Sequence, residues 1–404
     1  MSETNMRNML FLFLITFAFF LSLDILILPF PLYIESLGGS PRTIGWLIGI
    51  TGIMTVIVRT LMGAWSDVHG KKSILIISML AWFLSPLFLL MGDSFLWIAI
   101  IRIFQSIGMA GVVLATQALM AEQVEQENRG QALALQGIGD ASAIIIGPLI
   151  GFLLAEHYGF NWVFLVAALV AAVGLVLTLG VKEEKGPINP SKKEVMKRPK
   201  RPKRPKRSWK ELVKDPLLFV PTTIGFGIAF SFGAILIFMA VFANQLGFAN
   251  IGYLFAFLGV FLVVGRYIVG RISDKVGREI VILPTIFLTA MGMYIIAFFP
   301  GDIYFYIACA LIGLGFGGGH TGLIAFTVDK CSPENRGFTI SFFGNAFDLG
   351  ISLAGFILGV IASLTSYNVA FLVGGTVTIV LGCLVWFFYL SYKVKIGNGR
   401  KIDI

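Results

Sequence analysis

Arg59-x-x-x-Gly63-x-x-Ser66-Asp67-x-x-Gly70-Lys71 returns 207 positions later as Arg266-x-x-x-Gly270-x-x-Ser273-Asp274-x-x-Gly277-Arg278. Glu127-Asn128-Arg129-Gly130 returns at the same offset as Glu334-Asn335-Arg336-Gly337. Two echoes in one register are the mark of an internal duplication. The chain is two related halves in tandem.

Each half is mostly apolar. Hydrophobic residues fill 57% of the 404 positions and charged residues 13%, against roughly 25% charged in an average soluble domain. So few charges cannot cover a soluble surface. The apolar residues fall instead into twelve runs near the ~20 residues that a helix needs to cross a bilayer. The expected spans are 9–34, 42–63, 73–92, 95–120, 131–155, 160–181, 216–243, 248–270, 280–300, 303–328, 338–362 and 367–391. A transmembrane β-barrel needs short alternating segments, and these runs are continuous. The first span opens a long array with no small-residue cleavage site after it, so it reads as a retained helix and not a signal peptide. The fold class is all-α integral membrane, with twelve transmembrane helices in two pseudo-symmetric six-helix bundles.

An even number of spans puts both termini on one side. Of the 31 Lys and Arg, 27 fall in the termini and in loops after even-numbered spans; Arg42 alone falls in the opposite loops. Arg59, Arg102 and Arg266 lie in or at the ends of helices. Positive charge stays cytoplasmic on insertion, so both termini and the central loop are expected in the cytoplasm of a cell (plasma) membrane protein. The expected division is an N-terminal six-helix bundle over 1–181, a basic linker over 182–215 and a C-terminal bundle over 216–404. The linker carries 14 basic and 5 acidic residues. Its Pro at every third position from Pro199 to Pro205 favours extended polyproline II structure. Such a run can neutralise nucleic-acid phosphates. In this setting it is read as a linker beside anionic lipid headgroups near 192–210, with no nucleic acid expected. Trp209 is an interfacial anchor or an ordinary loop residue.

Several chemistries are excluded. Gly70-Lys71-Lys72-Ser73 lacks the first glycine of a phosphate-binding loop. Gly313-x-Gly315-x-Gly317-Gly318 sits inside an apolar span with no strand before it, which suits close helix packing over dinucleotide binding. Three scattered cysteines and His69, His157 and His320 have no metal-ligand spacing. No cofactor, metal or covalent chemistry is implied, and the chain is not read as an enzyme. Two six-helix halves without an engine of their own read as a secondary transporter.

The segment Gly63 to Lys72, with its copy, resembles the signature loop of the major facilitator superfamily, and the resemblance covers essentially the whole chain. Arg102-x-x-Gln105-Ser106-x-Gly108 resembles a motif linked there to proton coupling, with Ser106 in place of a glycine. Gly147-Pro148-x-x-Gly151-Phe152 resembles the drug-antiporter motif, with Phe152 in place of its second glycine. The resemblance implies two bundles rocking about a central cavity. It also implies that Asp67 contacts the other half when the cytoplasmic side is closed, with Arg59, Glu127 and Arg129 as candidate partners. Asp274, Arg266, Glu334 and Arg336 form the symmetric set. From the residues themselves, Gly63 and Gly70 (and Gly270 and Gly277) suit a tight exit from one helix into the next with positive φ available. Asp67 suits a helix N-terminus. Lys71, Lys72 and Arg278 hold these loops on the basic side. The competing reading is a short turn with solvated charges.

Charges within spans need partners or water. Asp24 lies about 22 Å into span 1 and Arg102 about 10 Å into span 4 from the other side, so both reach a similar depth. Since spans 1 and 4 line the cavity in the resembled fold, Asp24 and Arg102 are expected to face each other, with Gln105 one turn deeper. A carboxylate so placed suits proton coupling, and a merely structural pair is the alternative. Asp140 and Asp348 sit one residue off the repeat, about 14 Å in, and are expected at the interface between halves. Proton relay, substrate contact and helix-to-helix hydrogen bonding remain open for them. With 37 Phe, a partly aromatic cavity suits a small lipophilic organic substrate exchanged for protons. A proton symporter importing a sugar, amino acid or organic anion, and a non-transporting receptor or scaffold, are the alternatives.

Overall fold

The computed structural model describes residues 3–123, 129–181, 183, 216–329, 331 and 336–397. Glu127, Glu334 and the central loop apart from Glu183 lie outside the described residues, as do the side chains of Asp67, Arg129 and Arg336. Twelve helical segments among the described residues are long and apolar enough to cross a membrane.

The first span is two helices, α1 (Glu3–Ile27) and α2 (Phe30–Ser36). Pro29 and Pro31 interrupt it, because proline lacks the amide hydrogen that would continue the ladder. The expected single helix over 9–34 is therefore broken near its end. The remaining spans are α3 (Pro41–His69), α4 (Lys71–Leu89), α5 (Phe95–Glu122), α6 (Arg129–His157) and α7 (Phe160–Gly180). After the linker come α8 (Pro216–Gln245), α9 (Ile251–Val276), α10 (Arg278–Phe298), α11 (Asp302–Asp329), α12 (Arg336–Leu364) and α13 (Tyr367–Gly397). Ser40 and Ser94 cap α3 and α5 through their hydroxyls.

The signature loops are tighter than expected. One residue joins α3 to α4 and one joins α9 to α10: Gly70 at φ 87° and Gly277 at φ 98°, a region in which other residues are strained. Gly63 and Gly270 do not turn the chain; both lie inside helices. Their role is spatial, since the helices run on for about a turn and a half beyond them.

Packing repeats the duplication. α3 packs on α5 as α9 packs on α11, α1 packs on α6 and α7 as α8 packs on α12 and α13, and α4 packs on α7 as α10 packs on α13. The halves meet along two related seams, α3 with α12 and α9 with α6. At the far end, away from where α1 starts and α13 finishes, both seams are shut by glycine. A Cβ on Gly49 would sit 2.7 Å from the Ser352 carbonyl oxygen, and one on Gly359 2.9 Å from that of Pro41. Gly45 and Gly355 meet backbone to backbone. On the second seam a Cβ on Gly259 would sit 2.8 Å from the Ile144 carbonyl oxygen. Towards the terminal end the same helix faces carry Gly63, Gly137 and Gly270, and nothing lies within 4 Å of a Cβ built on any of them. The bundles are thus closed at the far end and splayed at the terminal end.

A branched side chain at the Gly355 contact should wedge the far end apart, at a cost of about 1–3 kcal/mol of overpacking. Spin labels at Ser36 and Leu246, one on each half, should move apart by several ångströms in Gly355→Val, read by electron–electron double resonance. An unchanged distance would remove glycine contact as the reason this end is shut.

Candidate functional site

Between the bundles lies a chamber of about 430 Å³, within the usual range of small-molecule sites. α1, α3, α5 and α6 line it from the first half, and α8, α9, α11 and α12 from the second. Its wall is largely apolar and aromatic, with Phe19, Phe20, Phe232, Phe316 and Phe347 among the lining. Six charged residues also line it: Asp24, Asp140 and Asp348, and Arg59, Arg102 and Arg266. If all ionise, the charges cancel.

Four of the six are spent holding the halves together. Arg59 on α3 pairs with Asp348 on α12 at 2.7 Å and donates to the Asn345 side chain at 3.2 Å. Arg266 on α9 pairs with Asp140 on α6 at 2.9 Å. The two arginines are 207 residues apart, so the bridges are copies of one another across the pseudo-symmetry. Both cross between halves. Asp140 and Asp348 each have their own arginine at the interface. Arg59 and Arg266, expected to serve the signature loops, instead reach sideways across the seam. They sit about three helical turns before the connections at Gly70 and Gly277, too far along the helix to reach back.

Asp24 and Arg102 line the same chamber but do not form an ion pair. Arg102 is 1% exposed. It donates Nε to the Leu47 carbonyl at 3.2 Å and Nη1 to Gln105 Oε1 at 2.7 Å. Its guanidinium lies over the Phe30 ring at 5.0 Å, a favourable cation–π placement. Gln105, one turn along α5 from Arg102, accepts this bond through its side-chain oxygen. Asp24, 6% exposed, has no hydrogen bond or ion pair among the described residues. The span-5 motif explains its setting: Gly147 packs on Asp24 itself, where an added Cβ would come 2.5 Å from that of Asp24. Gly151 packs against the Ile25 backbone, and the Pro148 carbonyl oxygen backs onto Gly252 across the seam. The motif therefore ties the helix of Asp24 to the interface between the halves.

At the terminal end, Lys71 pairs with Glu122, and Arg278 pairs with Asp274 at 2.5 Å and with Asp329 at 3.0 Å. Lys71 with Glu122 and Arg278 with Asp329 are one bond copied at the repeat offset; Glu122 and Asp329 were not singled out, although the offset alone would have found them. Glu183 meets the N-terminus of α4, where it accepts from the Lys71 amide at 2.8 Å. Asp274 stays within its own half, as suits a splayed end. His320 also lines the chamber, with Phe316, Phe343 and Phe347 around its ring. No spacing in the sequence marks it; the fold alone brings it to the chamber.

The Major Facilitator Superfamily profile matches residues 12–355 and 251–402. The chain belongs to the major facilitator superfamily. Multidrug resistance protein MdtG of Yersinia enterocolitica is 26% identical over 84% of this chain and 82% of its own length. The protein of that name from Salmonella choleraesuis is 28% identical over 66% and 67%. Among solved structures, a D-xylose-proton symporter aligns with a TM-score of 0.77 at 14% identity, over 94% of this chain and 97% of its own. A peptide transporter aligns at 0.76 and 14%, over 97% and 95%. At such identities the solved structures speak for the fold alone. This is a multi-pass membrane transporter.

Each cross-half bridge is about a quarter exposed, so its coupling should fall between about 1 kcal/mol for a solvated pair and about 3 kcal/mol for a shared network. Arg59→Asp and Asp348→Arg should each lower the thermal midpoint in detergent, and the double exchange should recover most of the loss. Additive losses would mean that the two side chains touch without coupling.

Proposed function

We propose that this transporter exports lipophilic organic compounds in exchange for protons, with both termini and the central loop in the cytoplasm. The observation that carries the reading is Asp24, a carboxylate without a partner in a neutral, largely apolar chamber. The 27 of 31 basic residues at the terminal end support the orientation, and the chamber then faces the cytoplasm in this conformation. The MdtG relatives, named for multidrug resistance, support the substrate class.

Exchange requires that substrate and proton compete. An ionised Asp24 leaves the chamber neutral and attracts a positively charged group; a protonated Asp24 leaves it with one net positive charge and repels that group. One carboxylate therefore accepts either passenger but not both. The two cross-half bridges must part before the terminal end of the seams can rearrange, so they belong to the barrier between states. The far-end glycine seams must part when the chamber opens to the other side. Asp140, Arg59 and the signature loops have this mechanical part in the reading.

Purified protein in liposomes containing a pH-sensitive dye should alter internal pH when tetraphenylphosphonium is added. Asp24→Asn should fold, judged by its melting curve, and should lose this response at least tenfold. Proton exchange at the parental rate in Asp24→Asn would overturn the assignment of Asp24. Uptake of a polar nutrient with protons would favour the symporter instead.

A further inference from the structure

Arg102 makes a demand that nothing among the described residues meets. It is almost fully buried, lines the chamber and has no carboxylate within ion-pair distance among the described residues. Its Nη2 donates no hydrogen bond there, while Nε and Nη1 are taken by Leu47 and Gln105. Two more donors wait beside it. The Gln105 Nε2 amide is buried without a partner, as is the Thr51 hydroxyl. Thr51 also lines the chamber and lies one turn along α3 from the Leu47 carbonyl that Arg102 grips. Buried polar groups without partners are rare in native proteins and call for an explanation.

The fold does not require these residues. At the repeat offset, Arg102, Gln105 and Thr51 correspond to Cys309, Ile312 and Leu258, and the second half packs with those apolar side chains buried. A guanidinium fork with an amide and a hydroxyl alongside is the donor set that carboxylates and phosphonates take.

We propose that Arg102, Gln105 and Thr51 form an oxyanion subsite, and that the substrates are zwitterionic: an acidic group at Arg102 and a cationic group at Asp24. The inference rests on the exchange reading above and narrows it. Competition between proton and substrate at Asp24 needs a positive group. The unmatched guanidinium needs a negative one, and a substrate carrying both leaves neither charge uncompensated in the membrane. Asp24 and Arg102 stand apart in one chamber because the substrate goes between them.

Rhodamine 110, which carries a free carboxylate, and rhodamine 123, its methyl ester, differ at that group alone. Fluorescence anisotropy on the full-length protein in detergent should show the acid binding at least tenfold more tightly than the ester. Arg102→Met should bring the two affinities within about twofold of each other. Thr51→Val, a gentler change, should lower the ratio threefold or more, which keeps the test alive if the arginine variant does not fold. Equal or tighter binding of the ester by the parent protein would overturn the subsite, as would an unchanged ratio in Thr51→Val. The tetraphenylphosphonium response does not use a carboxylate, so a missing rhodamine preference with intact proton exchange sinks the subsite alone. A preference for the acid without any proton exchange sinks the antiport reading and leaves the subsite standing.

Discussion

A charge at membrane depth is stable only against a partner or water, and six charged side chains surround one chamber here. That constraint sorts them. Arg59 with Asp348 and Arg266 with Asp140 satisfy each other across the seams, so these four charges keep their partners only while the halves are correctly apposed. Each bridge is partly exposed, so water can replace the partner when the seam slides, at a cost far below that of stranding a dry ion. A fully buried pair would freeze the interface, and a fully exposed pair would not guide it. A moving joint is served by the middle case.

The seams supply the other half of the mechanics. At the far end, glycine brings backbones into direct contact, so closure there is a snug fit with little tolerance. At the terminal end, Gly63 and Gly270 on the same faces of α3 and α9 meet nothing. α3 and α9 thus each carry glycine on one stripe on both sides of an arginine, Arg59 and Arg266. Rocking about the charged middle would exchange which surface is in contact. The single-residue turns at Gly70 and Gly277 keep α3 with α4, and α9 with α10, from separating as this happens.

The fold was legible because hydropathy and duplication are long-range signals that survive loss of detail. Twelve spans, two halves and the special conformation of Gly70 and Gly277 followed from run lengths, register and residue type. Pairing was less legible. Asp24 and Arg102 share a depth, but depth fixes one coordinate of three, and rotation of each helix about its axis decides who meets whom. Arg102 turned towards Leu47 and Gln105, within its own half. Some signals lay unused in the register: Gly45 with Gly252 and Gly52 with Gly259 recur at the 207 offset, as do Glu122 with Asp329. The glycine recurrence marks the seams, the acidic one the loop braces. Glu183 on the N-terminus of α4 had no such echo, and only the fold brings the linker there.

What the duplication keeps and what it discards are physically different classes of residue. The bridges, the seam glycines, the turns and the loop braces occur twice. Ser22 donates to the Ala167 carbonyl as Ser231 does to that of Gly374, and this shared bond aligns Asp24 with Gly233. Arg102 is matched by Cys309. The central charges therefore occur once, on the first half alone, while the facing wall offers Phe232, Phe316, Phe347 and the ring of His320. Parts that move the bundles must act equally on both, because either half can be described as rocking against the other. Parts that grip a cargo act on a molecule with no such symmetry, and a polar wall opposite an aromatic one orients it. A symmetric chamber with Asp24 and Arg102 on both sides would hold four charges for one cargo to neutralise, and its empty form would be harder to bury. A single set avoids that cost and, on the reading proposed above, leaves one site for one passenger.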